Sequence, residues 1–323
     1  MTSKLIRGFV LTLAALAASA VWAQAPSPKV LRIVVGFPPG QAVDIVARLL
    51  ADKISPALGQ NVIVENRPGQ GGSLALAAIA KSPADGTTVT LSALASLVTN
   101  PHLYKNVQYD TLKDFEPVGL VADIPLVFVA NTGIPGKSFG DIVAYAKANP
   151  SKLFHPSSGN GTVSHLAMED FKRRAGLKIG HVPYQGSVKA MTDLVAGNVH
   201  VAMDTVAVTR AYIQSGRLNL LAVGSAKRLP VFPDTPTIGE LGYTGFEANA
   251  WIGLLAPAGS PADWVAHLND EVMKVVRSAD FEQRLVAFGQ QPRPSSPAEF
   301  KTFLKAEFER WGELVRASGA KVD

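Results

Sequence analysis

The stretch LRIVVGFPPGQAVDIVAR, residues 31–48, decides the fold. Six or seven strand-like residues run into a Pro-Pro-Gly turn, and a helical pattern follows with Asp44 in its first turns. Such a turn leaves backbone N–H groups unpaired at the helix start, where they and the helix dipole can hold an anion. An ordinary β–turn–α connection, in which Pro and Gly only form the turn, has the same pattern. Both interpretations remain open at this point.

The segments after this stretch continue the alternation of strands and helices. Strand-like runs at 62–67, 87–93 and 126–130 are separated by helical patterns, and this spacing predicts parallel βαβ units. The segment 97–119 is less regular and is expected to cross the surface.

A second α/β run begins with a helix that Ser138 can cap. Its later strand-like segments are 179–184, 199–205 and 218–226. A further strand-like run at 246–257 and three helical patterns close the chain. The order predicts an α/β protein of two lobes with a return crossing.

Composition limits the classes of protein to consider. The chain has 323 residues, 47% hydrophobic and 18% charged, which is typical of a globular protein with room for two domains. The net charge of +5 is mild, and no run of Lys and Arg contains interleaved aromatic residues. These features argue against a nucleic-acid partner.

The N-terminus has the pattern of a secretory signal peptide. Lys4 and Arg7 precede the apolar run FVLTLAALAASAV, which leads to Ala23. The run is shorter than the roughly 18 residues of a membrane span. We expect cleavage after Ala23, with Ala25 as the alternative. The chain has no cysteine, so disulfides and a lipoprotein anchor are excluded.

Several loops that follow strands are small, polar or rich in glycine. They are GFPPGQAVD, SALASLVTN, HPSSGNGTVSH and YQGS. The third loop contains Ser157, Ser158, Gly159, Gly161 and Thr162, whose N–H and O–H groups suit a carboxylate removed from water. The same residue types are ordinary helix caps, so each loop alone has a structural explanation.

Enzyme and metal chemistry have weaker support in the sequence. Ser158 lacks a G-x-S-x-G setting, and His165 has no evident third partner. The spacing of His155, His165 and His181 does not match a metal site, and no cofactor motif is found. Asp204 closes an apolar strand, where a carboxylate needs a partner or a ligand.

The chain resembles the tripartite tricarboxylate transporter substrate-binding proteins, the Bug (TctC-like) family of periplasmic receptors. The matching stretches are VVGFPPGQAVDIVAR, VIVENRPGQGG, SSGNGTVSHLA, HVPYQG, AMDT, LAVGSAKRLPVFPDTPTIGELGY and WIGLLAPAGSPA. The resemblance implies an α/β, two-lobed Venus-flytrap fold of type II-like order. After a signal peptide at 1–23, one lobe would combine 26–126 with 250–323, and the other would be 127–249.

The resemblance also implies a function and a site. The protein would be a monomeric periplasmic receptor, not an enzyme, that binds a small organic carboxylate and presents it to integral-membrane transporter subunits without metal or cofactor. The expected ligand-binding residues are Phe37, Gly40, Gln41, Ala42, Val43, Asp44, Ser92, Ala93, Ser96, His155, Ser157, Ser158, Gly159, Thr162, His165, Tyr184, Gln185, Gly186 and Asp204.

Three departures from the family pattern bear on the ligand. Gln41 stands where a second glycine is usual, Gln185 where a lysine is frequent, and His155-Pro156 replaces a small or aromatic pair. Loss of the lysine favours hydrogen-bonded recognition and is compatible with an aromatic dicarboxylate such as terephthalate. The alternatives are an exported serine hydrolase that uses Ser158 and His165, and a ligand receptor for a sensor system.

Overall fold

The structure is a computed structural model that describes residues 30–184 and 186–319. The predicted signal peptide lies outside the described residues. The strands are β1 (Leu31–Val35), β2 (Val62–Asn66), β3 (Thr88–Ala93), β4 (Phe115–Asn131), β5 (Phe154–Ser157), β6 (Gly180–Pro183), β7 (Val201–Thr205), β8 (Leu218–Val223), β9 (Asn249–Pro257) and β10 (Gln291–Pro292).

The α-helices alternate with these strands. They are α1 (Ala42–Leu58), α2 (Ser73–Ile79), α3 (Asn100–Leu103), α4 (Phe139–Ala148), α5 (Val163–Ala175), α6 (Ser187–Ala196), α7 (Val206–Gln214), α8 (Ala262–Val276), α9 (Ala279–Ala287) and α10 (Pro297–Ser318). A 3₁₀ turn covers Gln70–Gly72, and a π-helical turn covers Ala95–Thr99. No described helix is both long and apolar enough for a bilayer crossing.

The first lobe is built around β1, which pairs in parallel with β2 and β3 as predicted. The antiparallel strand β9 then joins β3 to β4, and β10 pairs with the far edge of β4. Helices α1 and α8 cover this sheet with a core that includes Val46, Leu50 and Leu268. The carboxyl ends of β1 and β3 therefore open to the same side of the sheet.

Strand β4 joins the two lobes. Its residues 115–125 pair with β9, whereas residues 126–131 pair with β7 and β8 of the second lobe. The chain returns through Ala248, whose carbonyl accepts a hydrogen bond from Leu126 N–H at 3.0 Å. The sequence predicted only the 126–130 part of this strand. The exact lobe limits given above stay predictions.

The second lobe also contains the parallel pair β5 and β6, with α5 following β5. Ser138 caps α4 as predicted, in a capping box with Asp141. A continuous core cluster contains residues of both lobes, including Phe128, Phe171, Trp251 and Trp311.

The expectation that 97–119 crosses the surface is wrong for the two ends of the segment, whereas 104–114 lies largely at the surface. Leu97, Leu103, Tyr109, Thr111 and Phe115 are all buried. The π-helical turn and α3 place their side chains beneath α10, in the shared core. The sequence lacked a clear period here because the turn changes from π to α geometry within nine residues.

Candidate ligand site between the lobes

Four helices begin at the predicted ligand loops and lack side-chain caps. Their N-cap residues make no side-chain hydrogen bond to the helix start, and they are Gln41 of α1, Thr162 of α5, Gly186 of α6 and Thr205 of α7. Ser138, Ser278 and Ser296 cap α4, α9 and α10, whereas α2, α3 and α8 also lack a side-chain cap. Uncapped helix starts present N–H groups and a positive dipole end to an anion.

The loop between β1 and α1 is held in place by Asp44. This carboxylate is 2% exposed and accepts hydrogen bonds from Gly40 N–H and Asn66 Nδ2, both at 2.8 Å, and from Arg48 Nε at 3.0 Å. Asn66 also donates to the Phe37 carbonyl at 3.0 Å. Burial disfavours the charged carboxylate, but the bonds from Arg48, Gly40 and Asn66 outweigh it and lower the pKa of Asp44.

Asp44 was expected to contact the ligand directly. Both of its oxygens already have partners within the protein, because Arg48 Nη2 also lies 2.9 Å from Oδ1. The geometry therefore favours a role in shaping the loop. Within that loop, Gln41 and Gly40 are exposed, and nothing lies within 4 Å of an added Cβ at Gly40. Ala42 is half-buried and Val43 is buried, so these two residues would contact a ligand through their backbone N–H groups.

The residues after β3 lie beside the same loop. Ser92 is buried and hydrogen-bonded to Thr90 Oγ1 at 2.9 Å, and Ala93 belongs to the core. Ser96 Oγ donates to the Ala93 carbonyl at 3.1 Å. An added Cβ at Gly72 would lie 2.9 Å from Ser96 Oγ and 3.4 Å from the Phe37 ring. The loops after β1, β2 and β3 thus meet at Phe37, Gly72 and Ser96.

Sequence reasoning missed the residues that hold this junction together. Asn100 Nδ2 donates to the carbonyls of Gln70 and Gly71 and to Ser73 Oγ. The Tyr109 hydroxyl donates to the Ser96 carbonyl and bonds with Ser73. Asn100 and Tyr109 lie in the segment 97–119, which the sequence predicted only to be irregular.

The corresponding loop of the second lobe, Ser157–Thr162, is termed the anion loop here. Ser158 N–H donates to Ser164 Oγ at 3.1 Å, and the two hydroxyls bond at 3.1 Å. Thr162 Oγ1 donates to the Gly159 carbonyl at 2.7 Å. The half-buried Ser158, Gly159 and Thr162 remain partly open to solvent.

The residues after β6 lie next to the anion loop. Tyr184 N–H donates to the Ser157 carbonyl, and Gly186 N–H donates to the Ser158 carbonyl, both at 3.1 Å. The Tyr184 hydroxyl donates to Asp193 at 2.6 Å, and its pKa is raised to about 12 by desolvation and by this carboxylate. Gln185 lies outside the described residues, so its predicted role stays a prediction.

Asp204 closes β7 beside the starts of α6 and α7. It is 4% exposed and accepts from Thr205 N–H at 2.7 Å and from the Ser187 hydroxyl. Burial raises the pKa of Asp204 to about 6, and those two hydrogen bonds offset only part of the effect. Asp204 therefore has protein partners in addition to any contact with a ligand.

Three histidines stack behind the anion loop. The rings of His165 and His181 lie 3.8 Å apart at 9°, and those of His181 and His155 lie 4.8 Å apart at 22°. His155 is fully buried and its Nε2 lies 3.0 Å from Glu169 Oε1. Burial lowers the pKa of all three, to about 4 for His165 and about 3 for His181.

This stack bears on two expectations for the site. His155 was expected to sort ligands, but its bond to Glu169 and its burial favour a supporting position. The hydrolase alternative needs a bond between Ser158 and His165. Ser158 Oγ instead bonds with Ser164, and His165 Nδ1 accepts from Gly161 N–H at 3.1 Å. Within 30–184 and 186–319, no group of three or more potential ligand side chains can hold a metal ion.

The loops of the two lobes approach each other at Gly161. This glycine has φ +72°, and an added Cβ there would overlap the Leu103 side chain of the first lobe. The anion loop therefore packs against α3, which follows the loop after β3. One of the uncapped helix starts, that of α5, therefore lies at a contact between the lobes.

The comparisons with known proteins agree with this architecture. The family described as "Tripartite tricarboxylate transporter family receptor" matches residues 46–320. BugT of Bordetella pertussis is 36% identical over 293 residues, which cover 90% of each chain.

Two solved structures give closely similar folds. Rpa4515 of R. palustris, solved with adipate, is 33% identical with a TM-score of 0.79, covering 92% of this chain and 99% of its own. MatC of Rhodopseudomonas palustris, solved with malate, is 31% identical with a TM-score of 0.73, covering 88% and 98%. The predicted two-lobed periplasmic-binding-protein fold is confirmed. The chain belongs to the tripartite tricarboxylate transporter family of receptors.

Proposed function

We propose that this protein is a periplasmic receptor that binds a small organic mono- or dicarboxylate between its lobes. It would deliver the ligand to the membrane subunits of a tripartite tricarboxylate-type transporter. The carrying observation is that predicted ligand loops in both lobes lead into uncapped helices, α1 and α5, and that the loop before α5 contacts Leu103 of the first lobe at Gly161. A carboxylate held by both would favour the closed arrangement of the lobes, since it contacts each of them.

Hydrogen bonds rather than ion pairs would provide the recognition. The stretches 36–44, 92–99, 155–162 and 184–187 contain no lysine or arginine. Arg48, the cation nearest to the first loop, is committed to Asp44. Four or five hydrogen bonds to a carboxylate, each contributing about 1.5–3 kcal/mol, make micromolar affinity attainable after the cost of closure.

The half-buried Phe37 ring beside Gly72 and Ser96 suits the uncharged body of the ligand. Two relatives were solved with dicarboxylates, adipate and malate, which supports a dicarboxylate as the ligand that we propose for this chain. Adipate and terephthalate share an apolar body between two carboxylates, so both are reasonable candidates for this chain.

Thermal unfolding of the chain from Gln24 onward tests the proposal. We expect adipate, malate or terephthalate at a hundred times its dissociation constant to add about 2.7 kcal/mol of stability. The matched control is adipamide, which keeps the carbon chain and removes both charges. No stabilisation by any carboxylate of a wide panel, or equal stabilisation by adipamide, would overturn carboxylate recognition.

Delivery to a transporter needs a separate test. We expect the ligand-loaded receptor, cross-linked in cells, to recover integral-membrane subunits of the transporter. Recovery of a membrane sensor kinase in their place would support the sensor alternative.

A further inference from the structure

The stack of His155, His181 and His165, termed the histidine stack here, is tied to the anion loop by two hydrogen bonds. His165 Nδ1 accepts from Gly161 N–H at 3.1 Å, which requires that this nitrogen carry no proton. His181 Nε2 lies 2.7 Å from Ser157 Oγ. Because Ser157 donates its hydroxyl to the Gly159 carbonyl, His181 is the donor in that bond. Both contacts fit neutral imidazoles.

The carboxylates near the stack could neutralise little of the positive charge that protonation of a histidine would add. Glu169 Oε1 lies 3.0 Å from His155 Nε2 and 3.9 Å from His165 Nε2, but Lys172 Nζ lies 2.6 Å from the same oxygen. Where α10 meets Glu169 and Lys172, it contributes the uncharged side chains Leu314, Ala317 and Ser318.

In the part of the chain that the structure describes, the other elements packed on β5 and β6 add no carboxylate that is free to pair with the stack. Asp204 of β7 is held by Thr205 and Ser187, and Asp193 of α6 is held by Tyr184 and Asn198. Lys189 of α6 is exposed. At the outer end of β5, His200 Nδ1 accepts from Phe154 N–H.

We propose that the neutral histidine stack positions the anion loop, so that protonation of His165 releases Gly161 and weakens carboxylate binding. The effect on ligand binding rests on the proposed function. The coupling between His165 and the anion loop rests on the hydrogen bonds alone. A proton on Nδ1 would meet the Gly161 N–H, and the charged ring of His165 would lie within stacking distance of His181. Both effects push the start of α5 away from its present geometry.

Three proteins separate this effect from other consequences of acid. His165→Asn keeps an acceptor for Gly161 but cannot titrate in this range, and His267→Asn changes an exposed histidine of α8. Adipate affinity is measured by calorimetry at pH 7.0, 5.0 and 3.8, with near-ultraviolet circular dichroism confirming the fold at each pH. Adipate takes up protons equally in all three experiments, so the ratio between proteins isolates the histidine.

We expect the parent and His267→Asn to lose about threefold more affinity than His165→Asn between pH 7.0 and 3.8. Equal losses in all three proteins would overturn the proposal. If no protein binds adipate at any pH, adipate is not the ligand, and a ligand-free measurement decides the coupling. In that measurement, the ¹⁵N–¹H resonance of Gly161 should titrate with the ring nitrogens of His165, below the usual imidazole range. A Gly161 chemical shift that does not change as His165 titrates would also overturn the proposal.

Discussion

At the scale of single residues, Asp44 has contacts within the protein that differ from the contact expected from the sequence. Asp44 was expected to touch the ligand because a carboxylate at a helix start is conspicuous. The structure gives it Gly40, Asn66 and Arg48 as partners, and Asn66 comes from a strand 22 residues away. Local spacing carries no information about such a partner, so a residue that shapes a loop is easily mistaken for one that binds.

The role of Asp44 can be measured by replacing it. Asp44→Ala should weaken carboxylate binding and lower the free energy of unfolding by about 1–3 kcal/mol, because Gly40 and Asn66 lose a buried acceptor. Asp44→Asn should restore part of the stability through its remaining oxygen. Denaturant unfolding and calorimetry measure both quantities.

Asp52→Ala is the matched control, since Asp52 is exposed on the same helix. If Asp44→Ala is as stable as this control but no longer binds, the direct ligand contact first expected from the sequence is the better explanation.

At the scale of elements, periodicity and caps predicted most helices and strands. The turn after β1 and the capping box of α4 depend on residues within a few positions of each other, which is why the sequence was sufficient. The extent of β4 was missed because its first residues read as part of an irregular segment. They are strand because β9 pairs with them from more than a hundred residues further on.

The contact between α10 and β9 depends on one buried carboxylate. Glu307 Oε2 accepts from Trp251 Nε1 of β9 and Trp311 Nε1 of α10, each at 2.9 Å. Glu307→Leu should destabilise the protein by at least about 2 kcal/mol, because two buried indole N–H groups lose their acceptor. Glu307→Gln should cost much less, since its carbonyl oxygen can still accept. Denaturant unfolding followed by tryptophan fluorescence measures both.

The exposed Glu313 of the same helix supplies the control, as Glu313→Leu. Equal stability of the two leucine variants would mean that the indole hydrogen bonds contribute nothing.

At the scale of the whole molecule, the two-lobed fold followed from resemblance, whereas the relation between the lobes did not. The contact of Gly161 with Leu103 joins residues 58 positions apart on different lobes. The three histidines are likewise distant in sequence and meet only because β5 and β6 pair in register, with His155 opposite His181. Their spacing in the sequence does not match a metal site, but it could not predict that their rings stack.

Acid should destabilise the ligand-free protein above the pH at which carboxylates usually titrate. Unfolded histidines take up protons near pH 6.5, whereas folded His165 and His181 stay neutral to about 4 and about 3. The unfolded state therefore binds more protons, and stability falls as the pH drops below 6.5. Asp204, with its pKa raised to about 6, binds a proton in the folded state and offsets about one histidine.

The net slope near pH 5 should be at least about 1.4 kcal/mol per pH unit, because the lowered pKa of His155 adds to that of the other two histidines, and it is measured by denaturant unfolding at pH 7, 6 and 5. Asp204→Asn removes the opposing group and should steepen the slope. Stability that is flat or rises as the pH falls through this range would contradict the neutral state of the stack.

The single strand β4 has a consequence for how the protein can be divided. The first part of β4 pairs with β9 and the second part pairs with β7 and β8, and the strand continues without a break between Pro125 and Leu126. The sheet of each lobe is incomplete without β4. Cleaving the chain within β4 would remove backbone hydrogen-bond partners from both lobes. We therefore expect the two lobes to unfold as a single cooperative unit, and neither lobe to fold when it is expressed without β4.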